Sequence, residues 1–206
     1  MKAPASVTLE GRHVRLEPLE LRHMAGLIAA GDEDVDVFRY MTLSPYASGW
    51  ESWMAEALAG VATGRYIAWA IVALDGSATD PDRSAGRVVG STRFGDIEPD
   101  HGRVEIGWTW LARSAQRTTA NTEAKYLQLR YAFDELGAGR VAFKTDARNE
   151  QAQRALERIG AVREGVLRAH IRLPDGFVRD TVYYSILAPE WLAVRARLEE
   201  RLAERA

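Results

Sequence analysis

The residues best suited to chemistry lie between a segment of alternating polarity and a segment of helical periodicity. The connection, Ala112 to Asn121, contains two arginines and several small polar residues. The first N–H groups of a helix have no partner within it and carry partial positive charge, so they bind anions. The sequence therefore predicts a phosphate or pyrophosphate site over residues 116–122; an ordinary surface loop is the alternative. The predicted residues are Gln116, Arg117, Thr118, Thr119, Ala120, Asn121 and Thr122.

A carboxylate, Glu105, precedes this connection. The segment Val104–Leu111 alternates with a period of two, which is typical of a strand. One face is expected to carry Val104, Ile106, Trp108 and Trp110, and the other Glu105, Gly107, Thr109 and Leu111. Glu105 then lies beside a glycine, where a reactant has room to approach. Two interpretations stay open: a general base, or a structural ion pair with an arginine of a neighbouring strand such as Arg93.

Composition excludes several classes of protein. The chain has 206 residues, of which 47% are hydrophobic and 27% charged, so wholesale disorder is excluded. The net charge of −2 gives no electrostatic footprint for nucleic acid. The absence of cysteine excludes disulfides, thiolate metal ligands and a cysteine nucleophile. The four histidines are too scattered for a helical metal pair, so no metal site is expected.

Targeting signals are absent from the sequence. Residues 1–11 lack the apolar core of a signal peptide, and no run of about 18 apolar residues could span a membrane. We therefore expect a cytoplasmic protein, a monomer or homodimer, with neither membrane nor nucleic acid as a partner.

The periodicities predict one domain over residues 1–206, with a mixed sheet and helices on its faces, an α/β (α+β) architecture. Seven strands are expected, at 12–18, 66–74, 87–97, 104–111, 140–145, 162–173 and 177–187. Helices are expected at 21–30, 50–63, 121–136 and 189–204, and one between the N-cap Asn149 and Gly160. Residues 75–86 form a loop, and Pro174-Asp-Gly176 predicts a hairpin turn.

In order along the chain, these features resemble the GCN5-related N-acetyltransferase superfamily, and within it the branch of ribosomal-protein N-terminal acetyltransferases. The resemblance covers roughly residues 10–190. It is carried by Val104–Leu111, by Asn121-Thr-Glu-Ala-Lys125, by Lys144-Thr-Asp-Ala-Arg-Asn149 and by Arg154-Ala-Leu-Glu-Arg-Ile-Gly160. In the family signature Gln/Arg-x-x-Gly-x-Gly/Ala, Gln116 fits the first position. Thr119 and Asn121 replace the second and third.

The resemblance implies a fold and a reaction. Acetyl-CoA would lie in a V-shaped split between strands 104–111 and 140–145 and donate its acetyl group directly to a primary amine. The pantetheine arm would contact Leu111, Ala112 and Asn149, and the pyrophosphate would lie on residues 116–122. Glu105 would act as the base. The acceptor is a small molecule or a protein N-terminal amine, and no metal takes part.

The departures from the family leave other functions open. The family's usual proton donors, a tyrosine and a serine, correspond here to Leu156 and Ala152, with Tyr183 and Tyr184 as possible substitutes. An acyl-CoA-binding module without useful catalysis is one alternative. A transferase that uses another donor, such as succinyl-CoA, is a second.

Overall fold

In the computed structural model, residues 1–74 and 86–204 are described, and their strands form a single sheet. The predicted loop over 75–86 falls outside these residues except for Gly86. The strands are β1 Leu9–Glu10, β2 Val14–Pro18, β3 Ile67–Ala73, β4 Arg87–Glu98, β5 Arg103–Leu111, β6 Arg140–Asp146, β7 Val162–Arg172 and β8 Val178–Leu187. The helices are α1 Met24–Asp32, α2 Pro45–Ser48, α3 Trp50–Ala62, α4 Ala120–Arg130, α5 Glu150–Ile159 and α6 Trp191–Ala203.

The sheet is mixed, as predicted, and has the order β1-β2-β3-β4-β5-β6-β8-β7. Only β5 and β6 pair in parallel; the other neighbours are antiparallel. The described residues form eight strands rather than seven. The additional strand, β1, is two residues long, which is too short for a period of two to reveal it.

The predicted helix over 121–136 is not a regular α-helix throughout. Its α-helical part ends at Arg130, and Tyr131–Glu135 form a π-helical turn in which Leu136 N–H donates to Tyr131 C=O at 3.0 Å. The apolar stripe correctly located the buried face, but periodicity cannot distinguish one wide turn within it. The caps of α5 are confirmed: the Asn149 side chain accepts a bond from Ala152 N–H, and Gly160 is left-handed at φ 97°.

Strand β5 contains a bulge that reverses part of the predicted alternation. Trp108 has φ 50°, and the register with β4 shifts between Ser91 and Arg93. Thr109 therefore faces α4, where its hydroxyl contacts Lys125. Trp108 packs instead against Tyr66, with ring centroids 5.0 Å apart. The predicted division of the strand into two faces is thus wrong from Trp108 onward, because the extra residue changes which side each later residue points to.

Packing against neighbours holds Trp108 in this uncommon conformation. A Cβ atom at Gly95, on β4, would lie 2.5 Å from the Trp108 ring, so the glycine leaves the space that the indole fills. Beyond the bulge, Trp110 packs among aromatic residues of the α3 side. These are Phe38, Trp50 and Trp53. The aromatic residues before and within α3 are therefore mainly core, with the exception of Tyr40.

Candidate active site

The split predicted between β5 and β6 is present. The two strands pair at three positions, Arg103 with Arg140, Val104 with Val141 and Glu105 with Ala142. Beyond Glu105 the strands continue without pairing to each other, so the facing edge of β5 is free of strand hydrogen bonds. A cavity of about 310 Å³ opens here, lined by β5, β6, α4, α5, the β7–β8 hairpin and the segment 37–42.

Glu105 lies in the wall of this cavity and forms an ion pair. Its side chain is almost completely buried, and Oε2 lies 2.6 Å from Nζ of Lys144, two residues beyond the end of the β5–β6 pairing. Burial raises the pKa of Glu105, and Lys144 opposes this without reversing it. The expected partner Arg93 is wrong: Arg93 instead pairs with Glu56 on α3 at 2.7 Å. A carboxylate in this setting can accept a proton near neutral pH.

A second lysine of the cavity, Lys125, has no carboxylate partner among the described residues. It is buried on α4, and Nζ donates to Thr109 Oγ1 at 2.6 Å, to Gln128 Oε1 at 3.2 Å and to Thr92 Oγ1 at 3.3 Å. Burial lowers the pKa of Lys125 to about 7. This amine therefore exchanges a proton in the physiological range, unlike an ordinary lysine.

The predicted anion site lies where β5 leads into α4. Of its seven residues, Asn121 lines the cavity, while Arg117 and Thr118 are exposed. The first α4 bond formed by this segment runs from Glu123 N–H to Thr119 C=O at 2.9 Å. The N–H groups of Asn121 and Thr122 precede that bond and remain available for an anion.

The positions where the family has glycine need no glycine conformation here. Thr119 has φ −71°, and Asn121 lies within α4; neither is among the described residues with positive φ. The left-handed residue of the loop is Arg117, at φ 63°. The Thr118 hydroxyl donates to Ala115 C=O at 2.8 Å and accepts from Ala120 N–H at 3.2 Å. It is therefore committed to the turn before α4.

The residues predicted to hold a pantetheine arm are placed differently from one another. Leu111 and Ala112 are buried, and neither is part of the cavity wall. Ala112 N–H donates to Val89 C=O at 2.7 Å, and the Gln116 side chain donates to Leu111 C=O at 3.3 Å. Asn149 lines the cavity, and its cap bond uses only the side-chain oxygen, which leaves its amide N–H groups available.

Neither substitute proton donor reaches the cavity. Tyr184 is completely buried, and its hydroxyl donates to Glu157 on α5 at 2.9 Å. Tyr183 lies beside His170 and is not part of the wall. Ala152 and Leu156, the positions of the family's usual donors, do line the cavity but carry no exchangeable proton.

Three cations of the cavity escaped the sequence analysis: Lys125, Lys144 and Arg179. A signal existed for Lys125, which falls one turn before Leu129 on the apolar stripe of α4. Lys144 and Arg179 could not be located, because their positions depend on how β6 and β8 pair with distant strands.

Two absences hold for the described ranges, 1–74 and 86–204. No group of three or more His, Cys, Asp or Glu side chains is arranged to hold a metal ion. Among the same residues, no helix has the length and apolar character needed to cross a membrane.

Comparisons with known proteins agree with this geometry. Residues 13–162 match the model of the acetyltransferase (GNAT) domain. A curated relative, "Putative ribosomal N-acetyltransferase YdaF" of Bacillus subtilis (strain 168), is 33% identical over 106 residues, which are 52% of this chain and 57% of that protein. The match to this relative thus spans little more than half its length.

Solved structures resemble the whole chain. The crystal structure of an acetyltransferase from T. thermophilus is 44% identical, with a TM-score of 0.83 over 98% of this chain and 100% of that one. A more distant structure, Mycobacterium smegmatis RimJ in complex with CoA-disulfide, is 22% identical, with a TM-score of 0.77 over 100% and 98% of the two chains. The second likeness concerns the fold alone. With a family match over most of its length, this chain belongs to the acetyltransferase (GNAT) family.

Proposed function

We propose that this protein transfers the acetyl group of acetyl-CoA to a primary amine, with both substrates bound at once in the split between β5 and β6. The observation that carries the proposal is the cavity that opens where β5 and β6 separate, with the buried carboxylate of Glu105 in its wall. Membership of the acetyltransferase family and the CoA complex of the RimJ neighbour support it.

Glu105 is the proposed base. Acetyl-CoA supplies a thioester, so transfer forms a C–N bond to the amine, breaks the C–S bond and releases a proton from nitrogen. Glu105 accepts that proton, directly or through water. Its ion pair with Lys144 favours the ionised carboxylate, while burial raises the pKa and strengthens it as a base. Ion pair and base are therefore compatible roles for this residue.

Lys125 is the proposed proton source for the departing sulfur. It lines the cavity, and its hydrogen bond to Thr109 places it on the face of β5 that continues from the split. With a pKa of about 7, its ammonium gives up a proton more readily than an ordinary lysine does. This assignment replaces the tyrosine and serine that the family uses and this chain lacks.

The proposed binding of acetyl-CoA uses the start of α4. The free N–H groups of Asn121 and Thr122, together with the exposed guanidinium of Arg117, would hold the phosphates. The Asn149 amide would contact the pantetheine arm. The free edge of β5 is a more accessible partner for that arm than Leu111 or Ala112, whose backbone groups have partners within the chain.

Binding is measured first, by calorimetry with acetyl-CoA. We expect low-micromolar affinity for the unaltered protein and a loss of roughly 5- to 20-fold in Arg117→Ala, since one charge-assisted contact is removed. Arg22→Ala is the matched control: Arg22 is also exposed, but it pairs with Glu17 and Glu20 and does not line the cavity. No binding at millimolar acetyl-CoA would contradict the proposal.

A further inference from the structure

The charges of the cavity wall do not balance. The described residues that line it contribute one carboxylate, Glu105, and three cations, Lys125, Lys144 and Arg179. Glu105 and Lys144 neutralise each other. Lys125 has neutral partners and a pKa near neutrality. Arg179 is the cation that the proposed reaction leaves without a role.

Arg179 is buried but has no opposite charge bound to it. Only 6% of the residue is exposed. Its Nε donates to Thr181 Oγ1 and its Nη1 to Tyr40 C=O, both at 3.1 Å. Among the described residues it forms no ion pair, and Nη2 has no hydrogen-bond acceptor. Its side chain is therefore held in place by neutral contacts, with one amino group left for a ligand.

The second buried arginine shows how this fold treats a guanidinium that has a structural role. Arg93 is enclosed by the rings of Trp53 and Tyr66, and Nη1 lies 2.7 Å from a Glu56 oxygen. For Arg179 the nearby acid is Asp146, which attracts it through space. Both oxygens of Asp146 are already bound by Arg148, at 3.0 and 2.8 Å. A buried charge without a bound counter-charge is costly, so the structure lacks an anion at this point.

The position of Arg179 relates this anion to the acceptor. Arg179 and Glu105 line the same cavity and are close enough to influence each other's pKa. Arg179 also bonds to Tyr40, in the segment that the family resemblance associates with the acceptor side. A molecule with its amine at Glu105 would therefore extend its other end toward Arg179.

We propose that the acceptor is an amine that also carries a carboxylate, and that Arg179 binds this carboxylate while Glu105 takes the proton from the amine. The inference rests on the proposed function and adds the substrate class to it. A guanidinium suits a carboxylate because its planar donors match the two oxygens. Two sources share this chemistry: a free amino acid, and a peptide that begins with Asp or Glu.

The test compares acceptors that differ only in charge. Release of CoA is measured with β-alanine against 3-aminopropionamide, with glutamate against glutamine, and with tetrapeptides that begin with Glu against Gln. We expect kcat/KM to favour the acidic member of at least one pair by about 10- to 100-fold. The pair that shows the preference distinguishes a free amino acid from a peptide terminus.

Variants assign the preference to Arg179. In Arg179→Gln the preference should fall below about 3-fold, chiefly through KM, while Arg179→Lys keeps part of it. Arg172→Gln is the matched control, since Arg172 lies in the same hairpin, is exposed and does not line the cavity. Thermal unfolding of each variant verifies that it is folded.

Other outcomes are also decisive. Equal acetylation of acidic and neutral amines would overturn the inference and leave the proposed function intact. If Arg179→Gln impairs transfer from succinyl-CoA to neutral amines but not from acetyl-CoA, Arg179 contacts the acyl group and the inference is again wrong. If no amine is acetylated, the proposed function fails, and calorimetry with β-alanine and CoA-saturated protein decides. Binding that Arg179→Gln abolishes supports the inference, and no binding refutes it.

Discussion

The two lysines of the cavity wall have the same contact distance and opposite pKa shifts. Nζ of Lys144 lies 2.6 Å from a carboxylate oxygen of Glu105, and Nζ of Lys125 lies 2.6 Å from the hydroxyl of Thr109. Burial acts to lower the pKa of both. For Lys144 the charge and hydrogen bond of Glu105 outweigh burial, and the pKa is raised. For Lys125 nothing opposes burial. The charge of the partner decides the outcome, because a neutral hydroxyl barely stabilises an ammonium.

Removal of the carboxylate from the pair with Lys144 should have the largest effect. In Glu105→Gln we expect kcat to fall by roughly 100- to 1,000-fold, because the amine loses its base, with acetyl-CoA affinity unchanged within a factor of about two. Steady-state kinetics and calorimetry measure the two quantities. Glu164→Gln is the control, since Glu164 pairs with Arg140 in the same sheet and does not line the cavity. A parallel loss of affinity would rule out the assignment of Glu105 as base.

Lys125→Met should reveal the cost of a buried amine without a carboxylate. The folded pKa of about 7 is below the unfolded value near 10.5, so the unfolded chain binds the proton first as the pH falls. Between pH 10 and pH 7 the wild type should lose about 3 kcal/mol of unfolding free energy relative to the variant, and little more below pH 7. Denaturant unfolding at several pH values measures this. Lys144→Met should show no such loss, since the pKa of Lys144 is raised.

Thr109→Asp would supply Lys125 with the kind of partner that Lys144 has. The pair should then keep the ammonium charged in the folded state, and the pH-dependent loss of stability should shrink to less than about half. Thr109→Val, of similar shape and without a hydroxyl, is the control and should leave the trend in place. If Thr109→Asp behaves like Thr109→Val, the partner's charge is not what separates the two lysines.

Loss of Lys144 should affect Glu105 more mildly than loss of the carboxylate itself. Lys144 lowers the pKa of Glu105 against the effect of burial, so in Lys144→Met that pKa rises further. The base is active when ionised, and activity therefore declines at a higher pH as the solution is acidified. We expect the ratio of kcat at pH 6 to kcat at pH 8 to fall by roughly two- to five-fold. An unchanged pH profile would show that the ion pair does not tune the base.

Local patterns were sufficient for most of the fold. The alternation in β8, the Pro-Asp-Gly turn and the caps of α5 are all properties of neighbouring residues, and each was found where predicted. The bulge at Trp108 was not, because a tryptophan is rarely left-handed and the position depends on Gly95 and Tyr66 across the sheet. A period of two cannot reveal such a contact.

The site was less predictable than the fold for a related reason. The spacing of β5 identified Glu105 as buried chemistry, but its ion-pair partner depends on β6 lying parallel to β5 with Ala142 opposite Glu105. Lys125 fell on the stripe of α4, yet only the structure shows that its neighbours there are hydroxyl and amide groups. Which side chains meet within the cavity is decided by long-range pairing, which the sequence does not display locally.

The threonine and asparagine that replace glycine before and at the start of α4 have a thermodynamic consequence. Thr119 adopts an ordinary helical conformation, φ −71° and ψ −18°, so no strain follows from its side chain. A non-glycine residue has fewer conformations to lose, both when the chain folds and when a ligand orders the loop. Preorganised binding elements spend less of their interaction energy on ordering. This loop is therefore the stiffer form of the family's phosphate cradle, in which a smaller entropic penalty compensates for the closer approach that glycine would permit.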